Sequence, residues 1–400
     1  MISAVHAEAV EAASAFRVVA SNKAVVDSHG TSWQPDKGYA SGGSLWSAGG
    51  AVASTASLAL YKAQRRGVQS YSFAVSAPGT YSVVLYVAEM EGKKPGQRVY
   101  DVTAEGATVA TRVDVSAAAG KNQAWHVLRS VPVTDGMLNL GFTPITGQPT
   151  VSAVAVDYMR PDLAPSLTFD DEFDAPAGTG PDPANWTQAV MGGLNNELEL
   201  YTDHNAFTDG AGSLDISAKK ETAVGPNGGV HAYTSSRMTT EGHYSWQYGR
   251  AEARILTPPG QGLWPAFWGV GKTGVWPANG EIDAMEMKGQ QPSTDYGTVH
   301  GITSGGVHWS YGRSTTGPVL AGSWHTYATV WQPGAIAILV DGRTFMTVTP
   351  ADLPAGNVWG FDQPFWVRLD LAVGGDFVGS PTASTQFPAV MKVDWVRVTQ

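Results

Sequence analysis

The chain has 400 residues, 43% hydrophobic and 15% charged, with 25 Lys+Arg against 35 Asp+Glu and no cysteine. Disulfides, thiolate metal sites and cysteine nucleophiles are therefore excluded, and no apolar run approaches the roughly 20 residues of a membrane-spanning helix, so neither a membrane partner nor a thiol chemistry is expected. Residues 1–160 carry 13 Lys+Arg and 11 Asp+Glu and the remainder 12 and 24, so the acidic second part would repel a phosphate backbone and nucleic acid is not an expected partner either.

The opening residues lack the basic and apolar regions of a secretory leader, which suits a cytoplasmic protein or a secreted one that has lost its leader. Ala7 to Ala20 is Ala-rich and reads as a short helix or an edge strand. Beyond it, short period-2 runs bounded by Gly, Pro, Asn and Asp dominate: 69–75, 81–88, 98–104 and 151–158, separated by turn signals such as Ala77-Pro78-Gly79 and Asp135-Gly136. Pro161 to Pro165 reads as a stiff linker, because proline fixes φ and removes a ladder donor. The domains expected are thus 1–160 and 166–400. Ten further strands follow: 168–173, 213–219, 248–256, 264–270, 280–287, 297–301, 325–332, 336–340, 365–373 and 391–398. With no long helix in sight, the fold class is all-β, two sandwiches in series.

The chemistry concentrates in G-E-I-D-A-M-E-M-K-G, Gly280 to Gly289. Carboxylates held close together raise one another's pKa, so one can stay protonated as an acid while another is ionised, which is what glycosidic cleavage needs. In a regular strand Glu281 and Asp283 face one way and Glu286 the other. A β-bulge near Ala284 or Met285 would return Glu286 to the same face, and a bulge is predicted there. Glu281 is then the nucleophile, Glu286 the acid and base, and Asp283 the electrostatic partner between them. The competing reading is a solvated strand, or a divalent-ion site on Glu281, Asp283 and His300. Trp264 and Trp268 on one face of the preceding strand, with Trp276 beside the carboxylates, favour a carbohydrate cleft.

Residues 166–400 resemble glycoside hydrolase family 16, and within it the laminarinase-like endo-β-1,3-glucanases. The resemblance is carried by F-D-D-E-F-D at 169–174, N-N-E-L-E-L-Y at 195–201, S-S-R-M-T-T at 235–240, Y-G-R-A-E-A-R at 248–254 and G-Q-G-L-W-P-A-F-W at 260–268. It continues through the carboxylate segment, Y-G-T-V-H-G at 296–301, L-A-V-G-G at 371–375 and V-D-W-V-R-V at 393–398. It implies a concanavalin-like β-jelly-roll with a cleft across its concave sheet, and a retaining double displacement that needs no organic cofactor. The six-residue catalytic form with the bulge goes with laminarinase-like members. The resemblance supports the roles given to Glu281, Asp283 and Glu286, and implies cleft positions at Asn196, Arg237, Trp264, Trp268, Trp276 and His300. It also implies a structural calcium at Glu172, Gly212 and Asp394, held mainly by oxygen ligands. Two departures stand out: Asp370 where Asn is usual, and no aromatic residue in Met191-Gly192-Gly193-Leu194 before the paired asparagines. His243, His308 and His325 are given no role.

Residues 25–159 resemble malectin-like carbohydrate-binding domains, through L-A-L-Y-K-A-Q-R-R-G at 58–67, Y-S-V-V-L-Y-V-A-E-M at 81–90, P-G-Q-R-V-Y-D-V at 95–102 and D-G-M-L-N-L at 135–140. Tyr61 and Glu89 are its candidate sugar contacts, and Arg65-Arg66 reads as a solvated turn. The expectation is a monomeric extracellular endo-β-1,3-glucanase acting on laminarin- or curdlan-like β-glucan. Its rivals are a mixed-linkage β-1,3-1,4-glucanase, a galactan hydrolase or transglycosylase of the same family, a non-catalytic glucan-binding protein, and a metal-dependent enzyme built on Asp283 and His300.

Overall fold

A computed structural model gives the architecture of residues 15–47, 49–162 and 164–400. The chain divides into two units, residues 1–164 with 351–355, and residues 165–350 with 356–400. Most of the helix-or-strand expectation at Ala7–Ala20 lies outside the described residues; its end, Phe16–Val19, is a strand. The one α-helix among the described residues is Val115–Ala119, capped by the Asp114 carboxylate, which accepts from the Ala117 amide.

The first unit is a β-sandwich. A six-stranded and a five-stranded sheet enclose a core that includes Tyr71, Phe73, Leu85, Tyr100, Leu138 and Val154. Gly79–Val87 is buried along its whole length, which explains its unbroken apolar run. Trp125–Val133 pairs with it and ends the sheet, so Pro132 sits on an edge strand, where a missing N–H is tolerated. Two expectations fail in this unit. Tyr61 and Glu89 are each only 1% exposed, with Glu89 held by Arg98 at 2.6 Å, so neither is placed to meet a sugar. Arg65 and Arg66 lie in the strand Ala63–Arg66 rather than a turn; Arg65 pairs with buried Asp36 at 2.6 Å, and Arg66 pairs with Glu91 and covers the Trp46 ring.

The second unit is built on two large antiparallel sheets with two smaller ones beside them, and seven of its strands carry the residues discussed below. These are β1 (Arg237–Thr239), β2 (Leu263–Gly271), β3 (Glu281–Met287), β4 (Thr294–Ile302), β5 (His308–Thr316), β6 (Phe365–Val373) and β7 (Ala389–Thr399). One sheet runs β1-β6-β2-β3-β4-β5, extended beyond β1 by Thr187–Gln188; β7 belongs to the other. Strand alternation sorts the faces. On β6, Phe365, Val367, Leu369, Leu371 and Val373 are fully buried, whereas Trp366, Arg368, Asp370 and Ala372 line a cleft. On β2, Trp264, Ala266, Trp268 and Val270 take the cleft side, leaving Phe267 in the core.

Candidate active site

β3 breaks its own alternation. Asp283 pairs with Thr298 and Glu286 with Tyr296, so Ala284 and Met285 together oppose Gly297. Against β2 the slip is the same, Trp268 opposite Asp283 and Phe267 opposite Met285. This is the β-bulge that the spacing predicts. Its consequence is that Glu281, Asp283 and Glu286 all line one cleft, while Ile282, Ala284, Met285 and Met287 are at most 3% exposed on the core side. Gly297 makes room opposite the bulge: a Cβ there would stand 3.0 Å from Ile338 and from Phe345. If this same sequence ran as a regular unbulged strand, Glu286 would point into that core and Met287 into water, losing roughly 1.5–3 kcal/mol for the methionine alone.

The cleft has a volume of about 700 Å³, the size of a multi-sugar subsite row rather than a single ring. Each glutamate holds an indole donor from a different wall: Trp276 Nε1–H donates to Glu281 Oε2, and Trp264 Nε1–H donates to Glu286 Oε1 at 3.1 Å. Asp283 is 2% exposed. Burial is the first cause that raises all three carboxyls, followed by their mutual repulsion: Glu281 is pushed up to about 8, Glu286 to about 7, and Asp283 well above the ordinary range. The three titrate as one set. Complete burial raises Asp283 well above the ordinary range, while its hydrogen bond with Glu281 works the other way, lowering Asp283 and raising Glu281. The indole donor on Glu281 favours the anion there. The arrangement thus holds one carboxylate as a nucleophile and can keep a proton on another.

Arg237, Trp264, Trp268, Trp276 and His300 all line the cleft. Arg237 also pairs with a carboxylate of the same sheet: its Nε donates to Asp370 at 2.5 Å and its Nη2 to the Tyr201 hydroxyl at 3.1 Å. Asp370, where Asn is usual, thus gives the buried guanidinium a second carboxylate beside Glu197, which lies 3.7 Å from Nη2. Trp268 is flanked by two guanidiniums, Arg368 at 4.9 Å and Arg237 at 5.6 Å from its ring. The Asn196 amide donates to Asp376 at 2.9 Å, and its neighbour Asn195 lines the cleft. Both asparagines have positive φ, so a step of one residue redirects the side chain.

Several contributors escaped the sequence reading. Glu197 lines the cleft and receives the Tyr201 hydroxyl at 3.0 Å, while Glu199, pushed up to about 8 by burial and then by Glu197, accepts the Val373 amide at 2.7 Å. Gly193 leaves space for this pair: a Cβ there would lie 2.4 Å from Glu197 Cβ, so no aromatic residue could occupy its place. His308, given no role in the sequence, bonds His300 ring to ring at 2.9 Å and packs 5.0 Å from Trp276. Only the alternation of β5 could have indicated that it reaches the cleft.

The expected calcium residues meet at one place by register. β7 pairs with Leu167–Asp171 up to Val396 and with Leu214–Ala218 from Val393 on, so Glu172 and Gly212 both border residues 394–395. The side chains fit a cation only in part. Arg397 holds both Glu172 carboxylate oxygens, at 2.7 and 2.9 Å, and Arg254 takes Oδ2 of Asp394 at 2.5 Å. A hard cation here would rest on backbone carbonyls and Asp394 Oδ1.

Residues 193–397 match the family described as glycosyl hydrolases family 16, and residues 14–158 match the malectin domain. Among curated proteins the chain is similar to a beta-glucanase of Rhodothermus marinus, 38% identical over 259 residues, covering 60% of this chain and 87% of that protein. It is similar as well to glucan endo-1,3-beta-glucosidase A1 of Niallia circulans, 33% identical over 282 residues, 63% of this chain and 39% of that longer protein. Among solved structures it resembles an endo-beta-1,3-glucanase from Pyrococcus furiosus at 40% identity and a TM-score of 0.53, covering 59% of this chain and 94% of that one.

Proposed function

This chain belongs to the family 16 glycosyl hydrolases, and from that premise we propose that it is a retaining endo-β-1,3-glucanase acting on laminarin- or curdlan-like polymers. One observation carries the reading: the bulge at Ala284-Met285 turns two glutamates and an aspartate into a single tryptophan-walled cleft. Glu281, steadied by the Trp276 indole, attacks the anomeric carbon with its other oxygen, and Glu286 protonates the departing sugar oxygen. Asp283, hydrogen-bonded to Glu281, takes the proton that Glu281 must release before it attacks. In the second step Glu286 takes a proton from water, and the water displaces Glu281 with net retention. Trp264 and Trp276 offer flat apolar faces for sugar rings.

The names of the similar proteins support the β-1,3 linkage. Their polymers are too large to enter a cell, which supports an extracellular enzyme, and the register around residues 394–395 supports a structural calcium remote from the chemistry. Proton NMR of a fresh laminarin digest tests the reading: β-anomer forms first under retention. First-formed α-anomer would refute the mechanism, and release of sugar from agarose or carrageenan alone would refute the substrate.

A further inference from the structure

The part of the cleft floor that carries Glu281 has a feature that sugar chemistry does not require. The Asp283 Oδ2 atom is buried, receives no hydrogen bond and lies 3.2 Å from His300 Nε2. Two acceptor atoms therefore face each other across a gap that one proton can fill, or one metal ion. The far side of the imidazole is occupied: His300 Nδ1 is 2.9 Å from His308 Nε2, with the two rings stacked at 7°. A ring nitrogen bonded on its outer side, with the inner one free to coordinate, is how metal-binding histidines are held. Ligand atoms of Glu281, Asp283 and His300 all lie within 4.8 Å of one another.

We propose that Glu281, Asp283 and His300 form an inhibitory site for a borderline divalent transition metal, with Zn²⁺ as the type ion, which silences the enzyme by occupying its nucleophile. Ligand distances of about 2.0–2.2 Å place tetrahedral donors roughly 3.4 Å apart. The Asp283–His300 pair already has that spacing, and Glu281 closes the third position by a rotation of its side chain, leaving the fourth to water. One imidazole and two carboxylates suit zinc or copper; magnesium and calcium prefer an all-oxygen shell and gain little from the nitrogen. Binding fills the gap between Asp283 and His300, draws Glu281 away from its Trp276 partner and neutralises the charge that would attack the sugar. This is the reverse of a metal-dependent enzyme, since removing metal raises activity.

The consequence for activity rests on the glucanase reading; the binding itself does not, so calorimetry separates the two. Zn²⁺ titrated into the full chain should bind one ion per molecule near the three residues. His300→Gln and Glu281→Gln should each weaken it at least tenfold, whereas replacing the remote, exposed His204 by Ala should leave it unchanged. Mg²⁺ at the same concentration should give no comparable heat. Binding that survives both cleft substitutions, or is no tighter than that of Mg²⁺, overturns the proposal. Zn²⁺ bound with the expected specificity but without any loss of laminarin hydrolysis would uphold the site and refute Glu281 as nucleophile.

Discussion

Replacing Glu281 by Gln should abolish hydrolysis and, in alkaline solution, make the catalytic domain more stable. The carboxyl ordinarily titrates at 4.5 and is pushed up to about 8 by burial and then by Asp283. A carboxyl raised in the folded state binds its proton more tightly folded than unfolded. Its favourable contribution is full below 4.5 and disappears as pH rises through about 8. At about 1.4 kcal/mol for each tenfold change, forcing the anion costs the fold roughly 4–5 kcal/mol at most. Water in the cleft reaches the side chain, and Asp283 can keep its own proton, so about 1–2 kcal/mol is the expected gain for the amide. For a domain of this size, that raises Tm by roughly 2–8 °C. Melts of both proteins at pH 6, 7.5 and 9, followed through a probe in the second unit, would show the variant's advantage opening as pH rises. Equal midpoints at pH 9, or an advantage independent of pH, would refute the electrostatic account of the site.

Replacing Glu286 by Gln should lower kcat on laminarin by roughly 10²–10⁴. An aryl β-glycoside with a dinitrophenolate leaving group needs no acid, so it should still react in a burst, and equal losses on both substrates would exclude the acid role. For the proposed calcium, Tm should rise with added Ca²⁺ and fall in excess chelator. Asp394→Ala should remove that response and Glu172→Gln should keep it, because Glu172 would contribute only its carbonyl; midpoints indifferent to both treatments would dismiss the ion.

Much of the site was legible because strand parity is written in the order of residues. Alternation in 263–271 and 365–373 separates cleft from core one residue at a time. The odd spacing between Asp283 and Glu286 is enough to require a bulge. Contacts made across strands were not legible. His308 meets His300 only because β5 folds back on β4 in the register Ile302 to His308. The buried Glu197–Glu199 pair depends on Gly193 and Val373, which nothing local announces. Arg65 looked like surface because Asp36, its partner, is 29 residues away. Asn195 and Asn196 could not be told apart, since positive φ at both positions cancels the strand rule that sorted the others.

The kink in β3 makes catalytic competence a matter of counting. No substitution at Ala284 or Met285 changes how many residues stand between the acids, so point mutation can dent this strand but cannot rephase it. Only an insertion or deletion can, and it does so in one step, with no half-turned intermediate to select. Gly297 then limits the path further, because Ile338 and Phe345 already fill the space behind it and leave no room for a side chain there. Descendants with a shorter strand would have arrived by a discrete jump, and their sequences should carry a compensating change opposite it.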